Sequence, residues 1–307
     1  MGSGMNRFLV LLRDLLILTK YRITAMALFT GYAAIAVEGS AAADWSRIWP
    51  CLVALFLLGG TANTLNQVFE KDKDARMNRT KSRRPLPAGR ITVPQAVLFA
   101  VVQLAVCLAI MLGVYDSWLA AGLVVFTVLY YSFFYTLWLK PRHYLNIVIG
   151  GVPGSMGPLI AWAAITDRLD AAPFAMFALI FLWTPPHVWA LAIKLKEDYA
   201  RAGIPMLPVV KGVDETTRQI FWYTVVMVAA SLVLPLLTAG TASPWTAGPY
   251  YLILAAVLGA VFLVWTFILW RRRPVMATMP LFRFSILYIG VLFLAMVLDA
   301  SQSAGKV

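Results

Sequence analysis

Between residues 66 and 90 the chain reads NQVFEKDKDARMNRTKSRRPLPAGR and gathers eleven charged side chains, three acidic and eight basic. Asn66, Glu70 and Asp74 follow one another at a spacing of four. On a helix that spacing sets them on nearly one face, each about 5.4 Å beyond the last. One carboxamide and two carboxylates are hard oxygen donors of the kind that hold Mg²⁺, with substrate phosphates completing the shell. Asp72 lies off that line and is a secondary donor. The basic run that follows (Arg76, Arg79, Lys81, Arg83 and Arg84) carries groups that grip phosphate oxygens. A plainer reading competes for each Lys and Arg, because loops on one face of membrane proteins are routinely basic. It is weaker for the oxygen stripe, since carboxylates at the edge of an apolar segment are costly unless used.

A second candidate stretch, residues 181–212, reads FLWTPPHVWALAIKLKEDYARAGIPMLPVVKG. His187, Lys194 and Asp198 are separated by seven and four residues, again close to one helical face if the helix persists past Lys194. Asp198, with Glu197 beside it, offers a second carboxylate site facing the first. Lys194 offers a positive charge to a phosphate or carboxylate. Pro185 and Pro186 predict a kink that frees backbone carbonyls, a feature tolerated where a cavity is lined. His187 reads either as a satisfied interior histidine or as a functional one.

The elements that carry these residues follow from composition. Hydrophobic residues make up 61% of the 307, charged residues 13%, and mean hydropathy is +0.77. A soluble domain needs far more polar surface. Runs near the roughly 20 residues of a membrane-spanning helix recur, without the alternation of a barrel strand. They predict nine spans, at 23–37, 48–66, 93–114, 118–138, 145–165, 172–193, 219–238, 249–270 and 282–299. The even-numbered loops and the N-terminal segment then carry 23 of the 26 Lys and Arg residues. By the positive-inside rule that face is cytoplasmic. The net charge of +12 is therefore topology, and nucleic-acid binding explains it poorly. Cys51 and Cys107 fall inside spans without metal-ligand spacing and read as packing residues. Residues 1–4 read as an expression scar, and 5–307 as a single transmembrane domain.

Two of the motifs together resemble a known family. Asn66-x-x-x-Glu70-x-x-x-Asp74, with a second acidic motif after the sixth span, resembles the signature of UbiA-type intramembrane prenyltransferases. Within that superfamily the blocks DKDARMNRTKSRRPLPAG, NIVIGGVPGSMGPLIAW and FLWTPPHVWALAIKLKEDYARAGIPMLPVVKG resemble the protohaem IX farnesyltransferases. Lys194 stands where many superfamily members have the first Asp of an Asp-x-x-x-Asp motif, a departure that this group shares. Tyr21 stands where the group tends to have Pro.

The resemblance implies an all-α polytopic fold around a central cavity, capped by cytoplasmic loops, in the bacterial inner membrane. It implies transfer of a farnesyl group from farnesyl diphosphate to a vinyl group of haem B, with water addition, giving haem O. Mg²⁺ would be held by Asn66, Glu70, Asp74 and Asp198, with Asp72 and Glu197 secondary. Arg22, Lys73, Arg79, Arg83 and Lys194 would neutralise the leaving diphosphate, and His187 would contact the haem. A haem-A-forming enzyme is a partner that the family's pathway makes plausible. Two rival readings are a prenyltransferase with another acceptor, such as a quinone precursor, and a polytopic transporter. Charges confined to one membrane face disfavour the transporter, which needs polar residues near the midplane.

Overall fold

A computed structural model of the chain describes residues 2–41, 44–238, 247–272 and 275–304. Met1, Arg273 and Lys306, which entered the readings above, lie outside the described residues. A backbone inside hydrocarbon has no water to bond, so apolar runs of this length must satisfy their amides internally as helices. Every regular element among the described residues is helical, and none is a strand. In chain order they are α1 (Gly2–Leu18), α2 (Tyr21–Glu38), α3 (Trp45–Phe69), α4 (Lys71–Arg76), α5 (Val93–Gly113) and α6 (Trp118–Leu129). A π-helical segment, Tyr130–Leu139, extends α6. Then come α7 (Asn146–Ile149), α8 (Val152–Ser155), α9 (Gly157–Thr166), α10 (Ala171–Lys194), α11 (Lys196–Arg201) and α12 (Leu207–Val210). The last three are α13 (Gly212–Thr238), α14 (Pro249–Arg272) and α15 (Thr278–Ala304).

Side chains start several of these helices by accepting from orphan amides. Asp44 accepts from the Ser46 amide at 3.0 Å to begin α3. Thr92 and Gln95 form a reciprocal capping box at α5, which also carries Pro94 in its first turn. Ser117 caps α6 through the Ala120 amide at 3.0 Å.

The long helices close into a ring. In order, α2, α3, α5, α6, α9, α10, α13, α14 and α15 each pack on the next, and α15 returns to α2. Small residues let these helices approach closely. Ala33 and Ala34 of α2 and Ala161 and Ala163 of α9 are fully buried, and a Cβ on Gly157 would sit 3.1 Å from the Ala27 carbonyl oxygen. Seven stretches of the described chain are long and apolar enough to cross a membrane. α2 and α13 complete the ring by contact but are not among the seven, so the expected count of nine spans is not established by that measure. α2 carries Arg22 and Glu38 at its ends, and α13 carries Asp214, Glu215 and Arg218 at its start.

Three local features differ from the expected spans. An N-terminal helix, α1, precedes the first expected span. Residues 145–165 form three short helices rather than one: Gly150 and Gly151 separate α7 from α8, where Pro153 also lacks an amide to donate back, and Met156 separates α8 from α9. The end of the fourth span is π-helical, with the Lys140 amide donating to the carbonyl five residues back, Tyr135, at 2.8 Å. Apolar periodicity carries no sign of such a wider turn.

Gly150 makes one of these features testable. A Cβ built there lies well inside van der Waals contact of the Tyr135 ring and the Asn146 carbonyl oxygen. Tyr135 is only 8% exposed and has little room to swing away. Gly150→Ala should therefore destabilise the chain by about 1–3 kcal/mol. Thermal unfolding in detergent reads this directly; a midpoint equal to the parent's would show that the 146–151 turn relaxes freely.

Candidate active site

The oxygen stripe survives in the folded chain, though not on one unbroken helix. α3 ends at Phe69, Glu70 sits at the junction with φ −100° and ψ 7°, and α4 begins at Lys71. The backbone still bonds across the junction at a spacing of four. The Glu70 amide donates to Asn66 at 3.0 Å and the Asp74 amide to Glu70 at 2.8 Å. Asn66, Glu70 and Asp74 thus stay on one side and are all buried, at 1–3% exposed.

Each of the three oxygens is held by a different cation. Lys20, at the left-handed junction between α1 and α2 (φ 49°, ψ 46°), donates from Nζ to Asn66 Oδ1 at 2.8 Å. Lys140, at the end of the π-helical segment, pairs with Glu70 Oε1 at 2.5 Å. Arg84, in the turn-rich loop after α4, pairs with Asp74 Oδ2. Asn66 Nδ2 donates to Thr136 Oγ1 at 3.1 Å, and that hydroxyl donates to the Tyr131 carbonyl at 2.7 Å. The π-helical turn thereby orients the amide and aims Lys140 at the stripe, in keeping with the occurrence of such turns at functional sites.

Burial and mutual charge set the protonation of this cluster. Burial, with Arg84 next, pushes the Lys20 ammonium well below the ordinary lysine range. Burial works against ionisation of Glu70, yet Lys140, Lys20 and Arg84 hold its carboxyl below the usual range. Burial raises Asp74, and Arg84 only partly offsets it. Lys140 is desolvated too, but Glu70 outweighs that and raises it. Three basic groups face two carboxylates, so an anion entering the cluster favours the charged form of Lys20 against its burial.

Other sequence candidates sit around this cluster rather than in it. Asp72, Arg79, Lys194, Glu197 and Arg22 are exposed, Lys73 is half-buried, and Arg22 lies 5.8 Å over the Tyr21 ring. α10 ends at Lys194, so His187, Lys194 and Asp198 are not carried by one unbroken helix. The backbone crosses into α11 through Leu195, whose carbonyl accepts from the Tyr199 amide at 3.1 Å. Asp198, half-buried, pairs with Arg201 three residues on, while buried Tyr199 raises the pKa of Lys140. Among the described residues no three His, Cys, Asp or Glu side chains come together tightly enough to hold a metal ion. Arg83 lines a separate cavity against α1, and its neighbour Arg84 supplies the guanidinium at the stripe.

Pro185 and Pro186 lie inside α10 without ending it. One residue on, the His187 ring is sandwiched between Trp183 (centroids 4.1 Å apart) and Phe282 of α15 (4.3 Å). Its Nδ1 lies 2.7 Å from Ser285 Oγ, and that hydroxyl gives its one proton to the Phe282 carbonyl at 2.7 Å. With the hydroxyl proton so directed, Ser285 Oγ is the acceptor for an Nδ1–H, the tautomer that leaves a lone pair on Nε2. Trp183 Nε1 donates to the Ser285 carbonyl at 2.7 Å, fixing both rings against α15.

Lys20, Arg84, Lys140 and Thr136 complete the cluster; of these the sequence had pointed only to Arg84, as one of five residues in the basic run. Lys140 had a legible signal, a lone lysine at the end of an apolar span. Between Arg83 and Arg84 the sequence offered no basis for choice, because the intervening loop has no fixed period.

The model of the UbiA prenyltransferase family matches residues 27–297. The chain belongs to that family. UbiA-type relatives include a protohaem IX farnesyltransferase of Rhodopseudomonas palustris, strain ATCC BAA-98 / CGA009. It is 39% identical over 298 residues, 95% of this chain and 91% of the relative. Another, from Bradyrhizobium diazoefficiens, is 41% identical over 292 residues, 91% of this chain and 87% of the relative. Among solved UbiA-type folds, a digeranylgeranylglyceryl phosphate synthase aligns with a TM-score of 0.76 at 19% identity. That alignment covers 95% of this chain and 99% of the other. A UbiA homologue of Archaeoglobus fulgidus bound to GPP and Mg²⁺ aligns with a TM-score of 0.60 at 17% identity, covering 92% and 99%. These likenesses establish an all-α, multi-pass membrane prenyltransferase fold for the chain.

Proposed function

We infer that this chain is an intramembrane prenyltransferase that moves a farnesyl group from farnesyl diphosphate to a vinyl group of haem B, giving haem O and diphosphate. The observation that carries the reading is the buried stripe Asn66, Glu70 and Asp74, each oxygen held by a cation. It stands in a chain about 40% identical to protohaem IX farnesyltransferases along nearly its whole length. Its donor set suits Mg²⁺, since a divalent ion can take the places on these oxygens that Lys20, Lys140 and Arg84 now fill. Bound there, Mg²⁺ supplies charge neutralisation for the departing diphosphate.

Lys20, Lys140 and Arg84 would then meet the phosphate oxygens, so the charge of the leaving group would be balanced by side chains already in place. Asp198 on α11 would be a further ligand, with Asp72 and Glu197 secondary. Arg22, Lys73, Arg79 and Lys194 form an outer basic rim. The C1–O bond of the farnesyl group breaks with its electron pair leaving on diphosphate. The vinyl π electrons of the porphyrin form the new C–C bond, and water captures the resulting cation with loss of a proton. His187 presents Nε2 to the haem. The basic rim faces the cytoplasm of a bacterial inner membrane, a placement supported by its share of the Lys and Arg residues.

Purified protein, haem B, farnesyl diphosphate and Mg²⁺ test the reading together, with the porphyrin product weighed by mass spectrometry. A gain of one farnesyl group and one hydroxyl, abolished by chelation, is expected. Consumption of farnesyl diphosphate only with a different acceptor would overturn the choice of haem and keep the metal site. Lys20 adds a pH signature. Its lowered pKa means its charge is lost as pH rises through a value below that of ordinary lysine. The KM for farnesyl diphosphate should rise on the alkaline side, and Lys20→Arg should move that rise to higher pH. An unmoved profile would take Lys20 out of the diphosphate contact.

A further inference from the structure

α1 leaves a second chemistry unexplained. Phe8, Leu9, Leu12 and Leu16 on this helix are 41–56% exposed, while Asp14 and Leu18 are buried against the body. Asp14, 4% exposed, is answered by Arg90, whose Nε lies 3.0 Å from both carboxylate oxygens. The same guanidinium donates to the Ser82 and Arg83 carbonyls, each at 3.1 Å. Arg90 thus ties α1 to the 82–90 turn through all three of its nitrogens.

Between the two lies a cavity of about 550 Å³, lined by Val10, Arg13, Asp14, Ile17, Arg83 and Arg90. Arg13 and Arg83 are exposed, and their guanidinium groups have no hydrogen-bonding or ionic partner among the described residues. Continuous with this cavity, and sharing Arg13 and Ile17 with it, is an apolar groove of about 450 Å³ lined by Leu9, Leu12 and Leu16. Two uncommitted guanidinium groups at one end and a greasy groove at the other match an amphiphile with an anionic head.

We propose that this cavity and groove bind one anionic phospholipid, its phosphate between Arg13 and Arg83 and an acyl chain along Leu9, Leu12 and Leu16. Charge complementarity selects the occupant. A zwitterionic lipid brings its own cation to the same two arginines, and a free phosphate leaves the groove unused. The placement suits a helix lying in the interface with its apolar face toward acyl chains. It also abuts the diphosphate cluster at two points. Arg83 is followed directly by Arg84, which holds Asp74. α1 leads directly to Lys20, and its last carbonyls, Ile17 and Leu18, accept from Gln67 of α3 at 3.3 and 2.9 Å. A lipid seated here would steady both supports of the cluster.

Native mass spectrometry of the full chain in detergent, with phosphatidylglycerol and phosphatidylcholine of matched acyl chains, tests the site. Preferential retention of one phosphatidylglycerol is expected. Arg13→Gln should weaken that binding about fivefold and Arg13→Gln with Arg83→Gln about thirtyfold, phosphatidylcholine binding being unchanged. Arg13→Lys should keep most of the affinity, and an unchanged unfolding midpoint separates a lost site from a lost fold. Equal retention of the two lipids, or undiminished phosphatidylglycerol binding in the double variant, would overturn the proposal. Inorganic phosphate binding as tightly as the lipid would make this a free-anion site. Competition by farnesyl diphosphate would make it a substrate-loading site, and either result replaces the lipid.

Discussion

Asp74→Asn is expected to lower Mg²⁺-dependent turnover by about 10²–10³-fold, the loss typical of removing one group that stabilises developing charge, while the chain stays folded in detergent. The choice of Asn follows from the geometry. The Arg84 side chain is only 16% exposed and its partner is Asp74. Asp74→Ala would strand that guanidinium, a defect worth roughly 3–5 kcal/mol when a buried pair is broken, and would confuse a lost fold with a lost metal. The Asn amide keeps an oxygen for Arg84 and removes the charge a divalent ion needs.

Turnover measured against Mg²⁺ concentration, beside an unfolding midpoint, separates the possibilities. Partial recovery at high Mg²⁺ is expected if Asp74 is a metal ligand, and parental turnover would remove it from the metal site. The pH profile adds a second reading. Burial raises Asp74 above the ordinary range while Glu70 is held below its own. Acidification therefore protonates Asp74 first, and the acid limb of turnover should disappear in Asp74→Asn.

The second large effect is expected at His187. His187→Phe keeps a ring of similar size between Trp183 and Phe282 and removes both nitrogens. Haem binding, read from the Soret band, should lose the shift that an imidazole nitrogen confers. Haem-dependent turnover should fall by at least about tenfold, with farnesyl diphosphate affinity unchanged. Ser285→Ala should act more mildly, through orientation. That substitution loosens the orientation of the ring without removing the nitrogen that faces the haem. An unaltered Soret band in His187→Phe would make His187 a packing residue of the α10–α15 contact and leave the diphosphate chemistry untouched.

The sequence alone determined the class of the protein and the reagents of its site. Long apolar runs can only be helices in a bilayer, and the chemistry of a carboxamide and two carboxylates four residues apart is local, so both were legible without coordinates. The blocks around Asp74, Gly150 and His187 carried the family, which the match over residues 27–297 establishes.

What the tertiary structure decided was pairing. Lys20, Arg84 and Lys140 reach the stripe from three segments separated by 46, 10 and 70 residues. No periodicity connects a lysine after one helix to a glutamate ending another. The π-helical turn that aims Lys140, and the break at Glu70 that still keeps its backbone bonds, arise from packing and charge. The same limit explains Arg83 and Arg84. Adjacent arginines in a loop are chemically equal on paper, and only the folded turn sends one to Asp74 and the other to the groove beneath α1.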